Sequence, residues 1–257
     1  MARRPRLAVV KFASCDGCQL TLLDAEADLL GLGATWDIAW FPEASSRRAG
    51  GRYDVTLVEG SISTPAALDH IRDLRARTRT LVAIGACATA GGIQALRNFA
   101  DHAEFAAAVY ARPDYVASLA TATPIASHVP VDFELRGCPI DRRQLVDLLT
   151  ALHAGRKPAI PAHSVCVECK AAGRTCVLVA HGTPCLGPVT QAGCGALCPG
   201  CHRGCYGCFG SQEAANAPAL GARLAALGAG ERELHRLYRT FTAGDPVFRA
   251  AADRHDD

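Results

Sequence analysis

The 257 residues are 49% hydrophobic and 20% charged, the balance of an ordinary globular chain long enough to bury one large core or two small ones. A formal net charge of +2, with no run of Lys and Arg interleaved with aromatics, makes no electrostatic case for a nucleic-acid partner. No segment approaches the roughly 18 consecutive apolar residues of a membrane span, and the apolar stretch Leu7–Phe12 after the basic start Met1–Arg6 is too short for a secretory signal, so a cytoplasmic protein is expected.

The first 160 residues alternate strand and helix patterns. Arg6–Ala13 is a short apolar, β-branched run, Gln19–Leu32 is Leu/Ala-rich with helical spacing, and Trp36–Phe41 is again strand-like. Gly31-Leu-Gly33 follows a helix pattern instead of a strand and lacks a full nucleotide-binding fingerprint, so it reads as a helix stop. Asp54–Glu59 and Thr80–Ile84 are further strands, separated by the helix Pro65–Arg77 with proline in its first turn. A last strand is expected near His128–Val131, and Asp141–Ala154 reads as a helix ending at Gly155. This rhythm predicts an α/β fold, a flavodoxin-like doubly wound parallel sheet.

Lys157-Pro-Ala-Ile-Pro161 breaks the pattern, because each proline removes a backbone donor and biases its predecessor toward extended geometry. The boundary falls there, giving domains 1–160 and 161–257. From Cys166 to Gly210 the composition turns to Cys, Gly and Pro, too poor in apolar residues to build a core, so metal clusters must order an irregular second domain. The tail Ser211–Asp257 reads as one or two surface-packing helices with a break at Gly228 and Gly230.

Thirteen cysteines in a chain with no export signal point to metal or cluster ligands, since the cytosol disfavours disulfides. Cys15 and Cys87 each lie just past a predicted strand, Cys18 shares a tight loop with Cys15, and Cys138 precedes a helix expected to start at about Ile140. All four can meet at the carboxyl edge of the sheet, with Gly17 bending the first loop and Gly85, Gly91 and Gly92 keeping the backbone small. Four thiolates suit an iron-sulfur cube. Four-thiolate zinc is the competing reading, but structural zinc takes two close pairs more often than one pair and two distant singles. The other nine, Cys166 to Cys208, are spaced C-x2-C-x6-C-x8-C-x8-C-x3-C-x2-C-x3-C-x2-C, enough for two cubes with one thiol over.

Phe12-Ala-Ser-Cys15-Asp-Gly-Cys18-Gln-Leu20, Val58-Glu-Gly-Ser-Ile62, Gly85-Ala-Cys87-Ala-Thr-Ala-Gly-Gly92 and Arg136-Gly-Cys138-Pro139 resemble the proximal-cluster motifs of nickel-iron hydrogenase small subunits. Cys166-Val-Glu-Cys169, Pro184-Cys-Leu-Gly-Pro-Val-Thr190, Ala192-Gly-Cys-Gly-Ala-Leu-Cys-Pro199 and Cys205-Tyr-Gly-Cys208 are similar to the delta subunit of cytoplasmic NAD(P)-linked hydrogenases, also called sulfhydrogenases. The likeness runs in order from position 7 to 210. It implies three 4Fe-4S clusters: a proximal one on Cys15, Cys18, Cys87 and Cys138, a medial one on Cys194, Cys198, Cys205 and Cys208, and a distal one on Cys166, Cys169, Cys176 and Cys185. Membrane-linked relatives have histidine at the position of Cys166 and proline at that of Cys198, so cysteine at both implies three four-iron cubes. The implied partners are a nickel-iron large subunit, where hydrogen is split, and a diaphorase of flavin and iron-sulfur subunits that reduces NAD(P)+; this chain does no bond-breaking itself.

Cys201 departs from the family pattern and reads as a spare thiol, or as a replacement for Cys198 or Cys205. His163, His181 and His202 read as loop residues, because the thiols already suffice. Glu59, at a strand end facing the first cysteine set, could accept hydrogen bonds, relay protons or simply anchor the loop. Two other functions stay in view. The cluster subunit of respiratory complex I shares the first-domain fold, but uses adjacent cysteines where this chain has Cys15-x-x-Cys18 and lacks the second cysteine group. A zinc-stabilised interaction module would bind zinc without sulfide.

Overall fold

Short, mostly apolar runs set the framework, with glycine or proline close to their ends. Strands β1 (Arg6–Lys11), β2 (Asp37–Trp40), β3 (Tyr53–Glu59), β4 (Thr78–Ile84) and β5 (Phe133–Leu135) form one sheet in the order β2-β1-β3-β4-β5, with every neighbouring pair parallel. The computed structural model describes residues 3–255, apart from the side chains of Glu26, Ala27 and Leu29. Met1 and Ala2 of the basic start and Asp256 and Asp257 of the tail lie outside the described residues.

Leu7, Ala8, Val9 and Val10 of β1 are all buried although successive side chains point to opposite faces, so both faces of the sheet are covered. Helices α1 (Gly17–Leu23) and α2 (Glu26–Thr35) connect β1 to β2, whereas α3 (Pro65–Arg77) connects β3 to β4 in the other direction along the sheet. Right-handed crossovers in opposite directions put these helices on opposite faces. Ala8, Val10, Phe12, Val58, Leu81 and Ala83 pack with Ile71 and Leu74 of α3 in one core. Helix α4 (Gly85–Ala90) follows β4, α5 (His102–Val109) lies in the long connection to β5, and α6 (Arg142–His153) closes the domain by packing with α1 and α2. Caps fix the helix starts: Thr64 accepts from Ala67 N at α3 and Asp141 from Gln144 N at α6.

Three elements among residues 1–160 differ from expectation. The single helix over Gln19–Leu32 is two helices, turned at Asp24 and the buried Ala25, and no local breaker marks a turn that packing sets. Gly31-Leu-Gly33 is no helix stop: α2 runs through it to Thr35, whose hydroxyl donates to Gly31 O and Leu32 O, and the chain turns extended at the buried Trp36. The last strand is Phe133–Leu135, not His128–Val131. Pro130 has no N–H for a ladder, Val129 is committed to the core, and Asp132 aligns the strand by accepting from Leu81 N.

The chain divides into two compact units, Met1–Ala159 and Ile160–Asp257. In the second, α7 (Val165–Ala171), α8 (Val177–His181) and α9 (Leu197–Gly200) are short and lie among the cysteines. The tail forms three helices instead of one or two, α10 (Ala217–Ala226), α11 (Glu231–Tyr238) and α12 (Pro246–Ala252), and they build a core instead of a surface layer. Leu224, Leu234, Tyr238 and Phe248 are buried there together with Leu186 and Val189, so the Cys-Gly-Pro segment shares an apolar core with the tail. The Tyr238 hydroxyl donates to Ala217 O, which satisfies the one polar atom of that ring in the core.

Leu81→Ala removes a fully buried side chain at the centre of the sheet and is expected to cost about 3 kcal/mol. That lowers the melting temperature by roughly 6–12 °C, read by thermal unfolding.

Candidate functional site

The carboxyl ends of β1, β4 and β5 each run into a cysteine-bearing turn. Past β1, Phe12 N donates to Glu59 O at 2.7 Å and Ala13 and Ser61 exchange backbone hydrogen bonds, so the chain stays paired until just before Cys15. The bend between Cys15 and Cys18 comes from Asp16, in the left-handed region at φ 67°, and not from Gly17, which is already helical. The Asp16 carboxylate is held 2.5 Å from Lys11 Nζ. From β4, Gly85 at φ 85° leads into α4 and Cys87; from β5, Gly137 leads to Cys138, and Ala86 N donates to Gly137 O at 2.7 Å to tie the two turns together.

The four thiols gather as one set. Burial pushes the Cys18 thiol far up, with Glu59, Cys87 and Cys138 adding to it. Burial also raises Cys87 to about 11, helped by Cys138 and Cys15, and raises Cys138, helped by Cys15 and Glu59. Two glycines border the sulfurs. A Cβ on Gly85 would collide with Cys18 Sγ, and one on Gly92 (φ 65°) would lie 2.6 Å from Cys87 Sγ. Each position therefore demands glycine twice over, for its backbone angle and for its contact with a thiol.

Glu59, only 2% exposed, anchors the loop. Its carboxylate accepts from Cys18 N at 3.2 Å and from Gln19 Nε2 at 2.9 Å; burial raises its pKa and these two bonds oppose that rise. Gln94 donates to Ala13 O and accepts from Cys87 Sγ. Sequence reasoning passed over Gln19 and Gln94, although Gln19 follows Cys18 directly.

In the second unit Cys166 and Cys169 project from α7, Cys176 precedes α8, and Cys185 follows it. These four line one small apolar cavity, and burial together with the neighbouring thiols of the set raises Cys166 and brings Cys169 to about 11. A Cβ on Gly187 would lie 3.3 Å from Cys185 Sγ and 3.6 Å from Cys166 Sγ. Cys198 on α9 is raised by burial, then by Cys194 and Cys201; Cys205 is raised by burial, with Cys185 and Cys208 adding to it. Cys185 touches both groups, accepting from Cys205 N at 3.2 Å. Cys201 is exposed at the end of α9, its N–H donating to Cys198 O. His163, His181 and His202 are exposed.

Glu168 escaped the sequence analysis. It stands between Cys166 and Cys169 on α7, and its two carboxylate oxygens accept from Gly193 N at 2.9 Å and Ala196 N at 3.2 Å, on either side of Cys194. The signal was an acid inside a C-x2-C pair, where a charged residue needs a reason.

Among the described residues no three His, Cys, Asp or Glu side chains close tightly enough on a point to hold a single metal ion. Soft thiolates in sets, bordered by glycines where a side chain would collide with sulfur, fit a larger inorganic group.

Comparison with known proteins agrees. The family described as NADH ubiquinone oxidoreductase, 20 Kd subunit, matches residues 15–152. Sulfhydrogenase 2 subunit delta of Pyrococcus furiosus is 37% identical over 92% of this chain and 98% of its own length. The delta subunit of the NAD-reducing hydrogenase HoxS of Cupriavidus necator is 25% identical over 61% of this chain and 82% of its own. A chain in the crystal structure of an NAD+-reducing NiFe hydrogenase in the H2-reduced state superposes with a TM-score of 0.57 at 30% identity, covering 62% of this chain and 96% of that one.

Gly85→Ala, whose Cβ would run into Cys18 Sγ, is expected to lower the metal bound by the purified chain, as measured by plasma emission; unchanged metal content would show that the cradle tolerates a Cβ. Glu168→Ala leaves two backbone donors without their carboxylate and is expected to cost about 2 kcal/mol. Hydrogen exchange at residues 193–196 reads that loosening directly.

Proposed function

Because the chain belongs to this family, as a small subunit of the nickel-iron hydrogenase type, we propose that it relays electrons through three 4Fe-4S clusters between the nickel-iron site of a large subunit and an NAD(P)-reducing diaphorase module. The observation that carries the reading is the gathering of Cys15, Cys18, Cys87 and Cys138 at the carboxyl edge of the sheet, around glycines that admit no Cβ. When bound, such clusters take up and release single electrons.

The chain's own residues would supply thiolates and fix their surroundings. In this reading residues 1–160 hold the proximal cluster on those four cysteines, and residues 161–257 hold the medial one on Cys194, Cys198, Cys205 and Cys208 and the distal one on Cys166, Cys169, Cys176 and Cys185. Glu59 and Gln19 hold the start of α1, so Cys18 presents its sulfur in one orientation. Gln94 steadies the Cys15 and Cys87 turns against each other. Glu168 does the same for the Cys194 loop. Burial keeps water from the sulfurs of Cys18, Cys185 and Cys205, the condition under which neighbouring hydrogen bonds most influence a cluster's potential.

The diaphorase as electron acceptor is supported by the likeness to chains of NAD-reducing hydrogenases. No helix among the described residues is long and apolar enough to cross a membrane.

Anaerobic purification of the chain with its partner subunits should give about 12 iron and about 12 acid-labile sulfides per chain. Zinc without sulfide would overturn the cluster reading. Hydrogen-dependent reduction of NAD+ or NADP+ by the same preparation checks the acceptor; reduction of a one-electron dye with neither nucleotide reduced would remove the diaphorase and leave the hydrogenase subunit standing.

A further inference from the structure

The amino edge of the sheet, at the opposite ends of the same strands, carries a second feature. Where β1, β3 and β4 begin, a cavity of about 650 Å³ opens between Arg3, Arg6, Arg52, Arg77 and Arg79. Asp54 is the one carboxylate in its lining, and it is already engaged, accepting from Arg3 Nη2 at 3.0 Å and from Arg6 N at 2.7 Å.

Two of the guanidiniums are held in place. Arg6 lies 5.4 Å and Arg77 5.8 Å from the ring centroid of the buried Tyr53. Arg6 also donates to the carbonyls of Ala49, Gly50 and Arg52 and faces Asp37 at 3.7 Å, while Arg77 pairs with Asp73. Arg52 and Arg79 are different: both are exposed, and neither guanidinium makes a hydrogen bond or ion pair with the described residues. Arg79 also borders a second cavity, of about 470 Å³, whose wall adds Arg156 and Lys157. After Asp54, Asp37 and Asp73 have taken their partners, four cations in the walls of these two cavities, Arg52, Arg79, Arg156 and Lys157, have no carboxylate partner among the described residues, in a chain whose net charge is only +2.

Cations gathered without counter-charges repel one another, and an anion with several oxygens relieves that repulsion better than separate chlorides do. The planar fork of arginine matches phosphate oxygens. Tyr53, shielded by two guanidiniums, offers no open ring for a base to stack on. We propose that the amino-edge cavity binds a phosphate-bearing polyanion, either free or as the phosphate tail of a nucleotide, with Arg52 and Arg79 as the principal contacts. This site is separate from the thiol sets and does not depend on the electron-relay reading.

The test is calorimetric titration of the anaerobically purified complex with sodium pyrophosphate, with ADP and with a polyglutamate peptide, at constant ionic strength set by potassium chloride. The Arg52→Ala/Arg79→Ala double variant serves as the comparison, with its iron content and melting temperature confirming an intact chain. Pyrophosphate is expected to bind one site per chain and to lose at least about tenfold in affinity in the double variant, the scale of one charge-assisted hydrogen bond. ADP binding more tightly than pyrophosphate supports a nucleotide; the reverse supports a free anion. Equal affinity in the two proteins overturns the proposal, and so does binding confined to polyglutamate, which would assign this face to an acidic protein segment.

Discussion

Where a Cβ would point straight at a buried sulfur the chain must carry glycine, and this steric limit shapes the carboxyl edge of the sheet. Gly85 must take up φ 85° as the chain leaves β4, and it must do so against Cys18, which arrives from the turn after β1. The strand order β2-β1-β3-β4-β5 brings these turns together, with β3 lying between β1 and β4. Glu59, the last residue of that middle strand, closes the gap by accepting from the backbone of Cys18 and the side chain of Gln19. Loop, strand order and buried acid are thus parts of one solution to one packing problem.

Much of this was legible in the residues. Apolar runs such as Thr80–Ile84 and the helix opened by Pro65 have only one comfortable reading, and cysteines placed just past strands must meet at one edge when the strands are parallel. The failures share a physical cause. The turn at Ala25 and the continuation of α2 through Gly31 and Gly33 depend on the burial of Ala25 and Leu32 and on the packing of α2 against α6, which a local pattern does not contain. Asp16 could not be identified as the left-handed residue beside a glycine that is far better suited to that conformation; a pairing with Lys11 holds it there. Pro130, by contrast, was a readable warning against a strand at His128–Val131.

In the second unit, a composition of Cys, Gly and Pro suggested a segment with no core. Leu186 and Val189 are few, but they are fully buried against α10, α11 and α12, and Gly207 sits where a Cβ would crowd both Leu186 and Phe248. A poor apolar count in one segment can be offset by a rich one downstream, and window-based composition cannot register that exchange. The same blindness hid Glu168, since its partners are backbone N–H groups some 25 residues away.

Glu168 also bears on how such chains can diverge. Its neighbours Cys166 and Cys169 line one cavity with Cys176 and Cys185, while its carboxylate spans Cys194, some 25 residues on. A lineage that trades this acid for a neutral residue, or shifts α7 by one position, takes the carboxylate away from Gly193 N and Ala196 N and must replace that contact there. The two stretches are therefore tied as a single unit of inheritance, and substitutions in them should arrive in pairs, although every cysteine in both could remain untouched.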